Sequence, residues 1–159
     1  MSYIDKNLMN GEKIVYLTRR HKIIFTLPVI WFILSAVFFT LKSLLGLKPE
    51  MNIILLVFSG IFLAMAAVHA LVIWIQYLSA EFGVTNQRVI VKEGFIKRNT
   101  IEVFLNRVES VKVNQSIWGR LLNFGTIIVA GTGGVNDPLS MIRGPLEFKK
   151  QVQQQLAKL

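Results

Sequence analysis

Cysteine is absent from this 159-residue chain. That excludes disulfides, thiolate metal sites, a cysteine nucleophile and a lipid-modified cysteine anchor together, and it permits a reducing compartment. Histidine is nearly absent as well: only His21 and His69 occur, so residues 78–159 contain neither of the two side chains that most often act as base or nucleophile near neutral pH. Acidic residues are few, nine against eighteen Lys and Arg, for a formal net charge of +9. Those after residue 77 are Glu81, Glu93, Glu102, Glu109, Asp137 and Glu147. They fall mostly on expected strand faces and turns, and their spacing suggests no carboxylate pair and no carboxylate metal site. The expectation is a protein that is not an enzyme, with no catalytic residue, metal, cofactor or small-molecule substrate.

What the chain has in excess is apolar length. Hydrophobic residues make up 53% of it and mean hydropathy is +0.52, which is high for a soluble domain of this size. The excess is concentrated in two uncharged runs, residues 23–41 and 53–75. At about 1.5 Å per residue these span roughly 28 and 35 Å, against a hydrocarbon core of about 30 Å. The connection, residues 42–52, is short and polar, so the pair reads as a transmembrane hairpin, with helices over 23–41 and 53–77. Trp74 and Tyr77 close the second span at headgroup level. A signal peptide is the rival reading of the first span, but the run is longer than a secretory core and no small-residue cleavage site follows.

Lysine and arginine favour the cytoplasmic side of a membrane. Residues 1–22 carry Lys6, Lys13, Arg19, Arg20 and Lys22, the connection has only Lys42 and Lys48, and residues 78–159 hold the other eleven. This assigns residues 1–22 as a cytoplasmic segment, 42–52 as an extracytoplasmic loop and 78–159 as a cytoplasmic domain. Within the spans, Pro28 lies one turn into the first helix, where its missing N–H costs little. Gly60 with Ala64 and Ala66 with Ala70 place small residues at helical spacing; they suit the first span as partner, or a second copy or another membrane protein. His69 is the only titratable group in either span, and with only Thr26, Ser35, Thr40 and Ser59 as polar company it reads as a neutral, hydrogen-bonded side chain rather than a proton relay.

After residue 77 the hydrophobic period changes to two-residue alternation broken by turn residues. Strands are expected at 80–85, 88–93, 95–104, 108–114, 126–131 and 139–142, with neighbours pairing as hairpins. Alternation of Ile101 and Val103 with Glu102, and of Val111 and Val113 with Lys112, gives each strand one buried and one wetted face. Pro145 opens a final amphipathic helix with Phe148, Val152, Leu156 and Leu159 on one side. The predicted fold is α+β: a two-helix transmembrane hairpin followed by an antiparallel split barrel capped by a C-terminal helix, as in pleckstrin-homology (PH) domains.

Several motifs in order strengthen this: Val84-Thr-Asn-Gln-Arg-Val-Ile-Val-Lys-Glu-Gly94, the Arg98 to Glu102 step, Arg107-Val-Glu-Ser-Val-Lys-Val-Asn-Gln-Ser116, Gly119-Arg-Leu-Leu122 and the Gly131-Thr-Gly-Gly134 turn. With the two preceding spans, the chain resembles the YdbS-like bacterial PH membrane family. The resemblance implies an architecture, a PH-like domain behind two spans in the bacterial inner membrane, far more than an activity.

The Gly131 to Gly134 turn lacks the Gly-Lys-Ser/Thr helix start of a phosphate loop and reads as a hairpin connection. Asn114-Gln115-Ser116 matches a glycosylation acceptor, which means nothing on a cytoplasmic face. The basic residues matter more. Arg19, Arg20 and Lys22 flank the first span, and Arg88, Lys92, Lys97 and Arg98 surround one hairpin; these seven are the candidate lipid-headgroup contacts, although topology and solubility alone explain such charges equally well. A dense basic helical stripe is missing, so nucleic acid is not expected as a partner. Ile117, Trp118, Leu121, Leu122 and Phe124 form either a short helix plugging the barrel or, with Trp118 outward, a contact for membrane or protein. The expected function is a scaffold or assembly module at the inner membrane, whose partners are lipids and either its own copies or another membrane protein. The alternatives are an anionic-lipid or envelope-stress sensor and an accessory subunit of a transporter or enzyme complex.

Overall fold

The computed structural model describes residues 3–46, 48–95, 99–132 and 138–158. It comprises two compact units: Met1–His21 with Gln76–Leu159, and Lys22–Ile75. The first is the β module. A short helix α1 (Tyr3–Lys6) and strand β1 (Ile14–Thr18) precede the apolar helices, and β2 (Glu81–Thr85), β3 (Arg88–Glu93), β4 (Asn99–Phe104), β5 (Val108–Asn114), helix α4 (Ile117–Leu122), β6 (Phe124–Gly131), β7 (Pro138–Arg143) and helix α5 (Pro145–Leu156) follow them. The second unit contains helix α2 (Thr26–Leu44) and most of α3 (Pro49–Ser79).

The strands form two antiparallel sheets, β1-β2-β3-β4 and β5-β6-β7. β4 and β5 do not pair; a single 3-10 turn at Leu105–Arg107 carries the chain from one sheet to the other, with Leu105 buried as the corner. Alternate residues of both sheets meet in one core that includes Phe82, Val84, Val89, Val91, Val103, Ile127, Val129, Leu139 and Ile142, capped by Phe148 and Val152 of α5. Gly144, at φ 65°, ends β7 in the left-handed region, and Pro145 starts α5 at a position that needs no donor. Gln155 takes a buried place on that helix, while Leu159, the last residue of the expected apolar side, lies outside the described residues.

The six expected strands are present with boundaries shifted by up to two residues, except that β4 begins at Asn99 and Phe95 stands outside it, 70% exposed. The domain assignment of 78–159 needs correction. Residues 3–21 belong to the same module, because β1 pairs with β2 from Ile14↔Thr85 to Thr18↔Phe82. Five residues of strand cannot stand alone, and this edge gives their N–H and C=O groups partners.

The expectation that each strand wets one face fails for β2, all five residues of which are buried. The N-terminal residues cover its outer side. Glu81 caps α1 by accepting the Tyr3 N–H at 2.8 Å, and Ile4, fully buried, packs where a Cβ on Gly83 would meet it at 2.6 Å. Arg88, 3% exposed, donates from Nε to Glu12 Oε1 at 3.0 Å and from Nη2 to Glu12 Oε2 at 2.9 Å, forming a two-pronged pair, and its Nη1 reaches Glu102. Thr85 completes the knot: its hydroxyl donates to Glu12 Oε1 at 2.7 Å and accepts the Arg88 N–H at 2.9 Å.

In the second unit the two helices run past the expected limits, to Leu44 and from Pro49, so the connection is shorter than the expected 42–52. Pro49 and Glu50 favour an early helix start, through a preset φ and a charge that suits the N-terminal dipole. Both helices are long and apolar enough to cross a membrane by length and composition. They hold each other by polar contacts at mid-length: Ser35 Oγ donates to the Ser59 carbonyl at 2.9 Å, and Ser59 Oγ to that of Ser35 at 3.1 Å. A stack of rings, Trp31 on Phe62, Phe62 on Phe38 and Phe38 on Phe58, at 5.3 to 5.7 Å, continues the seam.

Removing one member of a buried ion pair leaves the other charged and unpaired, which costs about 3–5 kcal/mol. Arg88→Met is therefore expected to lower stability by about that much in thermal or denaturant unfolding, against about 0–1 kcal/mol for Lys150→Met at the exposed Glu147–Lys150 pair. Burial opposes the charge on Glu12, but hydrogen bonds from Arg88, the Met9 N–H and Thr85, with the charge of Arg88, outweigh it and hold the carboxyl below its ordinary value of 4.5. The stabilisation from a lowered carboxyl is complete above that ordinary value and is lost as pH falls through the folded one. Acid unfolding of Glu12→Gln should accordingly show a weaker pH dependence in that window than the parent.

Candidate functional site

Beyond β1 the chain does not leave the module at once. Thr18 Oγ1 donates to the Arg143 carbonyl at 2.8 Å, the Arg143 N–H donates to the Arg19 carbonyl at 3.1 Å, Arg20 bridges Ile142, and the His21 N–H donates to the Met141 carbonyl at 2.6 Å. Residues 18–21 thus run antiparallel along β7. One continuous stretch, 14–21, pairs first with β2 and then with β7 and so ties the two sheets together, leaving the barrel split between β4 and β5.

This seam borders a cleft of about 640 Å³ lined by Arg19, Arg20, Tyr77, Asn123, Arg143 and Glu147, among others. Arg19 and Arg143 are exposed; Arg20 pairs with Glu93 at 3.0 Å. With Arg20 engaged by Glu93, the exposed Arg19 and Arg143 guanidinium groups against the lining Glu147 make the cleft suited to an anion, and planar guanidinium forks match phosphate or carboxylate oxygens. Beside it, the His21 ring stacks on Phe124 at 5.3 Å. Burial and then the positive charge of Arg143 push His21 below the ordinary histidine value of 6.5, so it is neutral at pH 7. Among the described residues no group of His, Asp and Glu could hold a metal ion.

Of the expected headgroup contacts described within the β module, Arg19 and Arg20 are set apart from Arg88. Arg19 and Arg20 line the cleft, and Lys22 is exposed at the start of the second unit. Arg88 is a correction: with its guanidinium engaged by Glu12 and Glu102 under the N-terminal residues, it cannot reach a lipid. Lys92 is drawn the same way, its Nζ 4.8 Å from the centre of the Tyr3 ring. Lys97 and Arg98 lie outside the described residues, as do Gly133 and Gly134. The acids differ from a solvated set as well, since Glu81 is buried and Glu102 meets Arg88.

In the helical unit, Ala66 is buried and Ala70 half-buried, and both border a hollow shared with Pro28 and Phe32 of the first helix; Gly60 and Ala64 face outward. His69 Nδ1 meets the Met65 carbonyl at 3.0 Å. A carbonyl only accepts, so that nitrogen carries a proton in this contact within its own helix. Trp118 is 68% exposed, so the barrel-plug reading of residues 117–122 is overturned.

Arg143 and Asn123 escaped the sequence reading because neither stands in a basic run or flanks an apolar stretch of membrane-spanning length. Strand β1 escaped because its outward positions, Val15 and Leu17, are also apolar and hide the two-residue period.

A profile described as bacterial PH domain matches residues 23–158. The chain belongs to the bacterial PH domain family. Neither the curated proteins nor the solved structures contain a match. The family match begins after β1, so the strand that joins the two sheets of this PH module precedes it. PH domains are in general non-catalytic modules.

Nuclear magnetic resonance titration of His21 should give a midpoint below 6.5, and Arg143→Gln should move it upward by removing the nearby positive charge. The unfolded chain then binds a proton that the fold resists, so the module's stability falls as pH drops through 6.5 towards the folded midpoint. In His21→Asn that part of the pH dependence should vanish.

Proposed function

We propose that this chain is a non-enzymatic, YdbS-like module of the bacterial inner membrane, a two-span hairpin that holds its PH domain at the cytoplasmic surface as a scaffold or assembly unit. The observation that carries the reading is the pairing of β1 with β2. These strands flank the two apolar helices, so strands on either side of an inserted hairpin must emerge on one side of the bilayer. A single span, or a cleaved leader, would separate them. The excess of Lys and Arg on both flanks selects the cytoplasmic side, and the exposed apolar surface of the helices, with only 11% of each apolar window buried, needs a lipid environment. Outward-facing Gly60 and Ala64 suit association with a second copy; Gly60→Leu should then reduce cross-linked dimer in native membranes without unfolding the hairpin, since among the described residues nothing beyond its own stretch of helix lies within 4 Å of the added Cβ.

Topology is directly testable because the chain is free of cysteine. Lys48→Cys should react with an impermeant maleimide in spheroplasts, and Lys13→Cys and Lys158→Cys only after lysis. Labelling of either terminal position from outside, or release of the protein by carbonate, rules the proposal out.

The cleft supports a second reading, sensing of anionic lipid. Each basic residue near an anionic surface contributes about 1 kcal/mol. Arg19→Glu and Arg143→Glu should each reduce phosphatidylglycerol retained by the full chain in native mass spectrometry several-fold; equal retention in parent and both variants removes this reading and leaves the scaffold.

A further inference from the structure

Helix α4 is built the wrong way round for a core element. Ile117 is 86% exposed, Trp118 68%, Leu121 73% and Leu122 42%; the one buried residue is Gly119. A Cβ at Gly119 would stand 2.6 Å from the Phe124 carbonyl oxygen, so the helix lies backbone-down against the start of β6 and turns its bulky side chains outward. Polar ties fix it there. Ser116 Oγ accepts the Gly119 N–H at 3.1 Å, Gln115 Nε2 donates to the carbonyls of Gly119 at 3.3 Å and Phe124 at 3.0 Å, and Asn123, at φ 57°, ends the helix in the left-handed region. Six residues do not hold a helix alone in water; these bonds present an apolar face at a fixed place.

That place is the edge of the module from which the chain enters and returns from the apolar helices. Asn123 lines the cleft with Arg19, Arg20 and Tyr77, and Phe124 stacks on His21, the residue before the second unit begins. Around the apolar face the exposed charges are mainly basic, Arg120 on the helix itself and Arg19 and Arg143 in the cleft, against the half-buried Glu147. Tryptophan and leucine ringed by arginine suit the boundary between headgroups and acyl chains of an anionic leaflet. A second copy would bring the same basic rim against this one, arginine facing arginine.

We propose that the outward face of α4 is seated in the leaflet from which the hairpin emerges, with Trp118 and Leu121 among the acyl-chain ends and Arg120 at the phosphates. The proposal rests on the membrane reading above and adds a third point of contact that fixes the module against the bilayer.

The test uses the full chain in nanodiscs of phosphatidylcholine and phosphatidylglycerol, with a single nitroxide at Leu121→Cys and, in a second variant, at Ile117→Cys. Val57→Cys in the apolar helix and Lys112→Cys on β5 serve as references. At 117 and 121 the expected result is relaxation by oxygen and loss of access to a water-soluble nickel chelate, as at 57 and opposite to 112. Water-like labels at 117 and 121 with a lipid-like label at 57 overturn the α4 proposal alone; a water-like label at 57 overturns the membrane reading with it. Labels at 117 and 121 shielded from both reagents also overturn the proposal, and spin–spin broadening that disappears on dilution with unlabelled chain then identifies a second copy as the occupant.

Discussion

The structure depends on the pairing of residues 14–21 with both sheets at once. Without that stretch, β2 would be an open edge, the seam to β7 would be unfilled, and the two sheets would be joined only through the Leu105 corner and the α5 cap. Backbone pairing of this kind needs no particular side chain, but it does need the stretch to be delivered to the right edge. The Arg88–Glu12 pair helps to do this by anchoring the segment before β1 to the β2–β3 turn, 76 residues away in sequence. A buried pair is weak evidence for stability by itself, yet it is intolerant of losing one partner, which makes it a device for register.

That arrangement redistributes charge. Covering the outer face of β2 and β3 takes Arg88 out of the basic surface, draws the half-buried Lys92 over the Tyr3 ring, and leaves Arg19, Arg20 and Arg143 as a cluster beside the seam. Among the described residues, an exposed basic cluster is therefore found in the cleft beside the seam, where Arg19 and Arg143 stand with the partly buried Arg20. The two apolar helices follow a complementary logic. If lipid surrounds them, apolar burial offers little reason to associate, and the reciprocal Ser35–Ser59 bonds and the ring stack supply contacts that lipid cannot.

Much of the architecture was legible in the sequence: the two apolar helices from length alone, six strands from the change of hydrophobic period, α5 from Pro145 and the spacing of Phe148, Val152 and Leu156, and membership of a PH family from ordered motifs. These are local signals, set by neighbours within a few residues. The candidate site was only partly legible. Arg19 and Arg20 announced themselves by standing next to an apolar run, whereas Arg143 and Asn123 carry no such marker and join them only through the pairing of residues 18–21 with β7.

The sequence by itself determined the two apolar helices, the six strands after residue 77 and the final helix, though not their exact ends, because periodicity, proline and run length act on the chain within a few residues. Only the tertiary structure decided that the N-terminal segment is a strand of the module, that Arg88 is inside and that Trp118 is outside. Each of these is fixed by a partner far away in sequence: β2 for β1, Glu12 for Arg88, and for α4 the carbonyl of Phe124 that admits a glycine and nothing larger.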